Sequence, residues 1–131
     1  MLFAGFSKCL YHQQKFDSDP EREFSRILED SEEVIKWFRP ALSNFVIAWL
    51  KGNYQPDFIV ETTDAKYICE VKADNELTDP DVTAKMDAAL LWCKRASESD
   101  GKPWIYLLIP HSKVSENLEF SGAKAKFRKE L

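Results

Sequence analysis

Two runs rich in β-branched and aromatic residues, 54–62 and 66–73, flank the polar pair Thr63-Asp64. Both have the length and composition of strands, and the short link between them leaves an antiparallel hairpin as the economical fold. With the loop centred on Thr63 and Asp64, positions equidistant from it face each other across the pair. That register sets Ile59 against Ile68 and Glu61 against Lys66, so apolar meets apolar and opposite charges meet. It also sets Asp57 against Glu70. Lys72, two residues beyond Glu70, leaves the same face of the strand.

Local signals supply the elements around the hairpin. Asp19 before Pro20 marks a helix start, with Glu21 and Glu23 near the positive end of the helix dipole. Phe24, Ile27, Leu28, Ile35 and Phe38 recur at helical spacing, which predicts a helix over 20–37 that stops before Pro40. Residues 44–50 read as a strand ending at the turn Lys51-Gly52-Asn53, and residues 1–10 as a further strand. Asp79-Pro80-Asp81 opens a second helix, with Val82, Met86, Ala89, Leu90 and Cys93 on one face and a stop between Ser97 and Gly101. Residues 103–109 have the content of a buried strand. The order is α-β-β-β-α-β, with an extra N-terminal strand and a C-terminal tail. A right-handed helical crossover into the last strand makes it parallel to its neighbour, whereas the hairpin is antiparallel. The expected fold is therefore α/β, a central mixed β-sheet flanked by helices.

Composition excludes several classes. A chain of 131 residues, 44% of them hydrophobic, is expected to form one domain over 1–131 and to bury its core without disulfides or a structural metal. The longest uninterrupted apolar run, 105–109, is far below the roughly 18 residues that cross a bilayer, so no membrane partner is expected. The first ten residues lack a basic leader and a cleavage site, which fits a cytoplasmic protein. Cys9, Cys69 and Cys93 are scattered as reduced thiols would be, and Cys69, between Ile68 and Glu70, reads as a small core residue. The net charge of −4 argues against strong sequence-independent DNA binding by the chain alone. That charge is uneven: residues 57–87 hold nine acidic and three basic side chains, and residues 111–131 hold five basic and three acidic.

Two carboxylates held a few ångströms apart repel unless one is protonated or a cation lies between them. Hard oxygen donors favour Mg²⁺ for that cation, with Mn²⁺ as a substitute. Such an ion can polarise a phosphate oxygen, lower the pKa of bound water and offset charge in the transition state. Lys72 would then orient or deprotonate the attacking water, or offset phosphate charge. Asp57, Glu70 and Lys72 are thus the expected catalytic core of a phosphodiester hydrolase. The plainer reading, solvated strand residues at an accidental spacing, requires a strand as apolar as 67–71 to leave that face wet.

Gln55-Pro56-Asp57 with Glu70-Val71-Lys72 resembles the PD-(D/E)xK nuclease motif, and the element order is similar to that superfamily's restriction-endonuclease-like core. More narrowly, Phe16-Asp17-Ser18-Asp19-Pro20-Glu21, Tyr54-Gln55-Pro56-Asp57-Phe58, Glu70-Val71-Lys72 and Leu91-Trp92-Cys93 together resemble the C-terminal endonuclease domain of type III restriction enzyme Res subunits, over residues 6–118. The resemblance implies DNA as substrate and a metal held at Asp57, Glu70 and Val71. It further implies a helicase-like ATPase portion in a parent chain, of which this would be an excised C-terminal piece, and admits a methyltransferase (Mod) subunit as a companion. No Walker-type GxxxxGK[ST] occurs here, so ATP hydrolysis is expected elsewhere. A helix glutamate often joins the metal site in this superfamily, and Glu21 and Glu23 compete for that part. Glu21, three residues before Phe24 on the apolar side, is favoured; the simpler reading leaves both as dipole complements.

Lys85, on the inner flank of the second helix, is a candidate to meet a phosphate, or else a snorkelling surface lysine. Trp37, Trp49, Trp92 and Trp104 read mainly as packing residues, with base stacking as the alternative. Lys124, Lys126, Arg128 and Lys129 read as a solvated helix face rather than a DNA patch. His12 and His111 have no nucleophile pattern near them and take no catalytic part. Two other classes stand beside the nuclease: a cleavage-inactive relative that only binds nucleic acid or a partner, and a module that docks onto a motor without touching DNA. The intact triad argues against the first, and a metal titration separates the second.

Overall fold

The structure, a computed structural model, describes residues 2–4, 7–9, 13–15, 18–40, 45–99 and 101–131. Strands β1 (Leu2–Ala4) and β2 (Gln13–Lys15) pair antiparallel near the start of the chain. Within the strand expected over 1–10, residues 2–4 form β1, residues 7–8 bend and Cys9 bridges to Trp37. Met1, Leu10, His12, Phe16, Asp17 and Asn44 lie outside the described residues.

Helix α1 (Asp19–Asp30) begins one residue before the expected start, because Ser18 and not Asp19 is its cap: the Ser18 hydroxyl accepts the Glu21 amide at 3.3 Å, and Pro20 needs no partner for a missing N–H. It ends seven residues earlier than its apolar spacing predicts. The last turn carries no basic residue, and Glu29, Asp30, Glu32 and Glu33 crowd its negative end, which opposes continuation. Val34–Phe38 instead forms strand β3, with Val34 and Trp37 buried and Ile35 half exposed. Ile35 and Phe38 thus belong to a strand and not to the helical stripe assigned to them.

The segment read as one strand over 44–50 becomes a small hairpin, β4 (Ile47–Trp49) against β5 (Gly52–Tyr54). Gly52 takes a φ of +136°, a conformation that a side chain would strain. This hairpin stands apart from the main sheet, so the three strands that precede the second helix in that sheet are β3, β6 (Phe58–Thr62) and β7 (Lys66–Lys72).

β6 and β7 pair in the register read from the sequence: Ile59 with Ile68, Glu61 with Lys66, Phe58 with Cys69. The Thr62 hydroxyl accepts the Ala65 amide at 3.1 Å and closes the turn. After β7, Asp79 Oδ1 accepts the amides of Asp81 (2.8 Å) and Val82 (3.4 Å) and caps helix α2 (Pro80–Ser99). The helix returns the chain to β8 (Trp104–Pro110), which lies parallel to β7 from Lys66 opposite Trp104 to Lys72 opposite Pro110. Helix α3 (Phe120–Phe127) and the short β9 (Arg128–Lys129) complete the chain. The main sheet has the order β3-β6-β7-β8-β9; β7 and β8 pair in parallel, and the other neighbours among these strands pair antiparallel.

Alternation along β6 and β7 divides the core between the two faces of this mixed sheet. Phe58, Val60, Cys69 and Val71 pack with α1 and α3 through Phe24, Leu28 and Phe120. Ile59 and Ile68 pack on the other face with Ala89, Leu90 and Cys93 of α2 and with Ile47 of the small hairpin. Among the described residues no helix is long and apolar enough to cross a membrane.

Candidate active site

Asp57 directly precedes β6, and its neighbours fix it there. Pro56 is buried, Gln55 Nε2 donates to the Pro40 carbonyl at 3.0 Å, and Arg39 Nε donates to the Asp57 carbonyl at 2.7 Å. Across the hairpin the Val71 amide donates to Asp57 Oδ2 at 2.9 Å. Asp57 therefore turns its side chain toward the β7 backbone at the level of Glu70. Strand alternation puts Asp57, Glu70 and Lys72 on the α2 side of the sheet, the side of Ile59 and Ile68.

Glu70 is 2% exposed. Its Oε2 accepts the Tyr106 hydroxyl at 2.8 Å, whereas its Oε1 is buried without a hydrogen-bond partner. Leaving a buried polar atom unmet costs roughly 1–3 kcal/mol, more for a charged group, so its presence in a strand interior calls for a ligand. Burial first, and then the Asp57 charge, push the Glu70 carboxyl up to about 7, against the opposing pull of the Tyr106 hydroxyl, Lys72 and the nearby Tyr54 hydroxyl. Burial likewise raises Asp57, opposed by Lys72 and by the Val71 amide. The Tyr106 and Tyr54 hydroxyls are pushed upward by burial and then by the Glu70 charge, which keeps both as neutral donors. Half-buried Lys72 brings its positive charge to bear on both carboxylates.

Glu21 enters from the α1 side. It is buried and forms an ion pair of 3.0 Å with Arg39, whose guanidinium also lies 4.9 Å from the Phe58 ring centroid. Its charge reaches Asp57 and helps to raise that carboxyl. Glu23 turns aside and accepts Arg26 Nε at 2.9 Å along the helix surface. Val71 is buried and gives its amide to Asp57, so only its carbonyl remains as a donor toward an ion.

Lys85 lies outside this group: its ammonium sits over the rings of Trp49 (4.8 Å) and Tyr54 (5.5 Å), and its carbonyl accepts the Tyr54 hydroxyl at 3.2 Å. Trp37 is fully buried with its indole N–H on Glu29 at 3.1 Å, and Trp92 packs edge-on against Trp104 at 4.7 Å. In the tail, Lys124 pairs with Glu33 and Arg128 with Glu130, while Lys126 and Lys129 are exposed. The half-buried His111 opens a 3₁₀ turn after β8.

Arg39, Tyr54 and Tyr106 escaped the reading of the sequence. A tyrosine inside an apolar strand needs a partner for its hydroxyl, and that signal marks Tyr106. Arg39 was hidden by the helix expected to run past Val34.

Among the described residues no three Asp, Glu, His or Cys side chains gather into one metal-binding group. A Mg²⁺ ion, however, retains several waters and needs only one or two carboxylates. The orphaned Oε1 of Glu70 beside Asp57 fits that requirement. A cavity of about 560 Å³ lies elsewhere, between the end of α1 and the start of α3, with Asp30, Glu32, Glu33, Glu116 and Glu119 on its walls. So acidic a lining suits no phosphate.

A family model described as an endonuclease domain matches residues 7–98, which include Glu21, Arg39, Asp57, Glu70 and Lys72. A search of curated proteins found no match.

Proposed function

Because the chain belongs to this endonuclease-domain family and has its restriction-endonuclease-like fold, we propose that it cleaves DNA with Mg²⁺, or Mn²⁺ in its place, held by Asp57 and Glu70. The observation that carries this reading is the buried Glu70 oxygen without a partner, on the same sheet face as Asp57 and Lys72. When bound, the ion would polarise a phosphate oxygen and make the attacking water more acidic.

The protein's own groups divide the remaining work. Asp57 and Glu70 offer carboxylate oxygens, with the Val71 carbonyl as a further donor. Lys72, as a cation, orients the water or offsets phosphate charge, as the water oxygen bonds to phosphorus and gives its proton to solvent and the sugar oxygen leaves, taking a proton from solvent. Arg39 holds the Asp57 backbone and Glu21 in fixed relation. Glu21 is a secondary member of the site, since its charge acts on Asp57 while its side chain stays on Arg39.

We further read the chain as the cleavage domain of a type III restriction enzyme Res subunit. At a net charge of −4 it lacks the cationic surplus that holds a polyanion, which agrees with delivery of DNA by a helicase-like ATPase portion of a larger chain, alongside a methyltransferase subunit. The test is nicking of supercoiled plasmid at low salt, with Mg²⁺ or EDTA, by the wild type and by Asp57→Ala, Glu70→Ala and Lys72→Ala. Each variant is expected to stay folded and lose cutting. Nicking that persists in EDTA, or survives Lys72→Ala undiminished, would show the assignment to be wrong.

A further inference from the structure

Tyr106 lies on β8, beyond the segment that matches the family, and meets the acidic pair from a third strand. Its register partner is Ile68, so its side chain leaves the sheet on the face that carries Glu70. It is 1% exposed. A ring in that position packs equally well as phenylalanine. The hydroxyl adds one interaction, the 2.8 Å bond to Glu70 Oε2.

The terminal torsion of a glutamate is soft and nearly two-fold, so an unrestrained carboxylate exchanges its oxygens and can chelate with both. The bond from Tyr106 removes that freedom. It occupies Oε2, while Oε1 is buried with no hydrogen bond of its own. Asp57 is pinned in the same way through Oδ2, by the Val71 amide.

Resting on the metal-dependent reading above, we infer that Tyr106 is a positioning residue for the divalent cation: its hydroxyl holds Glu70 so that Oε1 alone takes the ion. Partners that orient a metal ligand contribute roughly 10- to 100-fold in metal affinity.

The test is Mn²⁺ binding to the 131-residue chain without DNA, by calorimetry and by electron paramagnetic resonance of free Mn²⁺. Tyr106→Phe is expected to weaken binding by roughly 10-fold or more and to have no effect in a Glu70→Ala background. A hydroxyl that served packing alone would lower the melting temperature of the metal-free chain and leave Mn²⁺ affinity unchanged, and that outcome overturns the inference while the metal site stands. Failure of the wild type to bind Mn²⁺, or binding indifferent to both Asp57→Ala and Glu70→Ala, removes the metal-dependent reading and this inference with it. A crystal of the wild type soaked in Mn²⁺ needs no variant to fold. Manganese on Oε1 with the Tyr106 hydroxyl still on Oε2 supports the assignment, and chelation by both oxygens with Tyr106 displaced refutes it.

Discussion

Replacing Glu70 with glutamine in the metal-free chain should stabilise it, increasingly so as the pH rises. In the folded chain burial and the Asp57 charge move the Glu70 carboxyl from 4.5 to about 7. The native state therefore binds more protons than the unfolded state between those values. The associated stability is complete below pH 4.5 and is lost as the pH passes 7. At 1.36 kcal/mol per tenfold change in acidity, the loss is about 3 kcal/mol. Glutamine carries no charge at any pH and still offers an acceptor to Tyr106. Removing the Glu70 charge also eases ionisation of Asp57, so the measured difference belongs to the pair. The assay is urea unfolding in EDTA from pH 4 to pH 8, for the wild type and Glu70→Gln. The gap should open with pH to about 3 kcal/mol, and Mn²⁺ should restore the wild type at pH 8 while leaving the variant unmoved. A gap that stays flat within about 0.5 kcal/mol, the range of an ordinary surface substitution, would mean that Glu70 ionises as an exposed carboxylate does.

Arg39→Met leaves Glu21 charged and buried, since the two side chains are only 7% and 10% exposed. The expected loss is roughly 3–5 kcal/mol, with much of it recovered in Arg39→Met/Glu21→Gln; additive losses in urea melts would contradict the pairing. At physiological salt the chain alone should bind duplex DNA only weakly, with slow Mg²⁺-dependent cutting. Submicromolar affinity with rapid cleavage, read by fluorescence anisotropy and gel, would show that no delivering partner is required.

The β6–β7 hairpin and α2 were legible in the sequence because their signals are local. A two-residue polar link fixed the register of Glu61 and Lys66, and Asp79 caps a helix that starts one residue later. The first core strand was not legible in the same way. Ile35 and Phe38 continue the spacing of Phe24 and Leu28 by coincidence, and what makes Val34–Phe38 a strand is its pairing with β6, far along the chain. The crowd of acidic residues after Leu28 was the available warning. At the site the hairpin register already set Asp57 opposite Glu70. Arg39, just after β3, and Tyr106, in β8, lie outside the hairpin, and their place depends on sheet order, which no short window encodes.

The order in which the sheet is assembled also bears on synthesis. A chain leaving the ribosome exposes Asp57, Glu70 and Lys72 well before Tyr106, yet β7 lacks one of its two neighbours until β8 has emerged and docked. Until then Glu70 is an ordinary hydrated acid, flexible and without the hydroxyl that orients it. Nascent chains and truncated fragments ending before β8 would carry Asp57, Glu70 and Lys72 together, but neither the parallel neighbour of β7 nor the hydroxyl that meets Glu70.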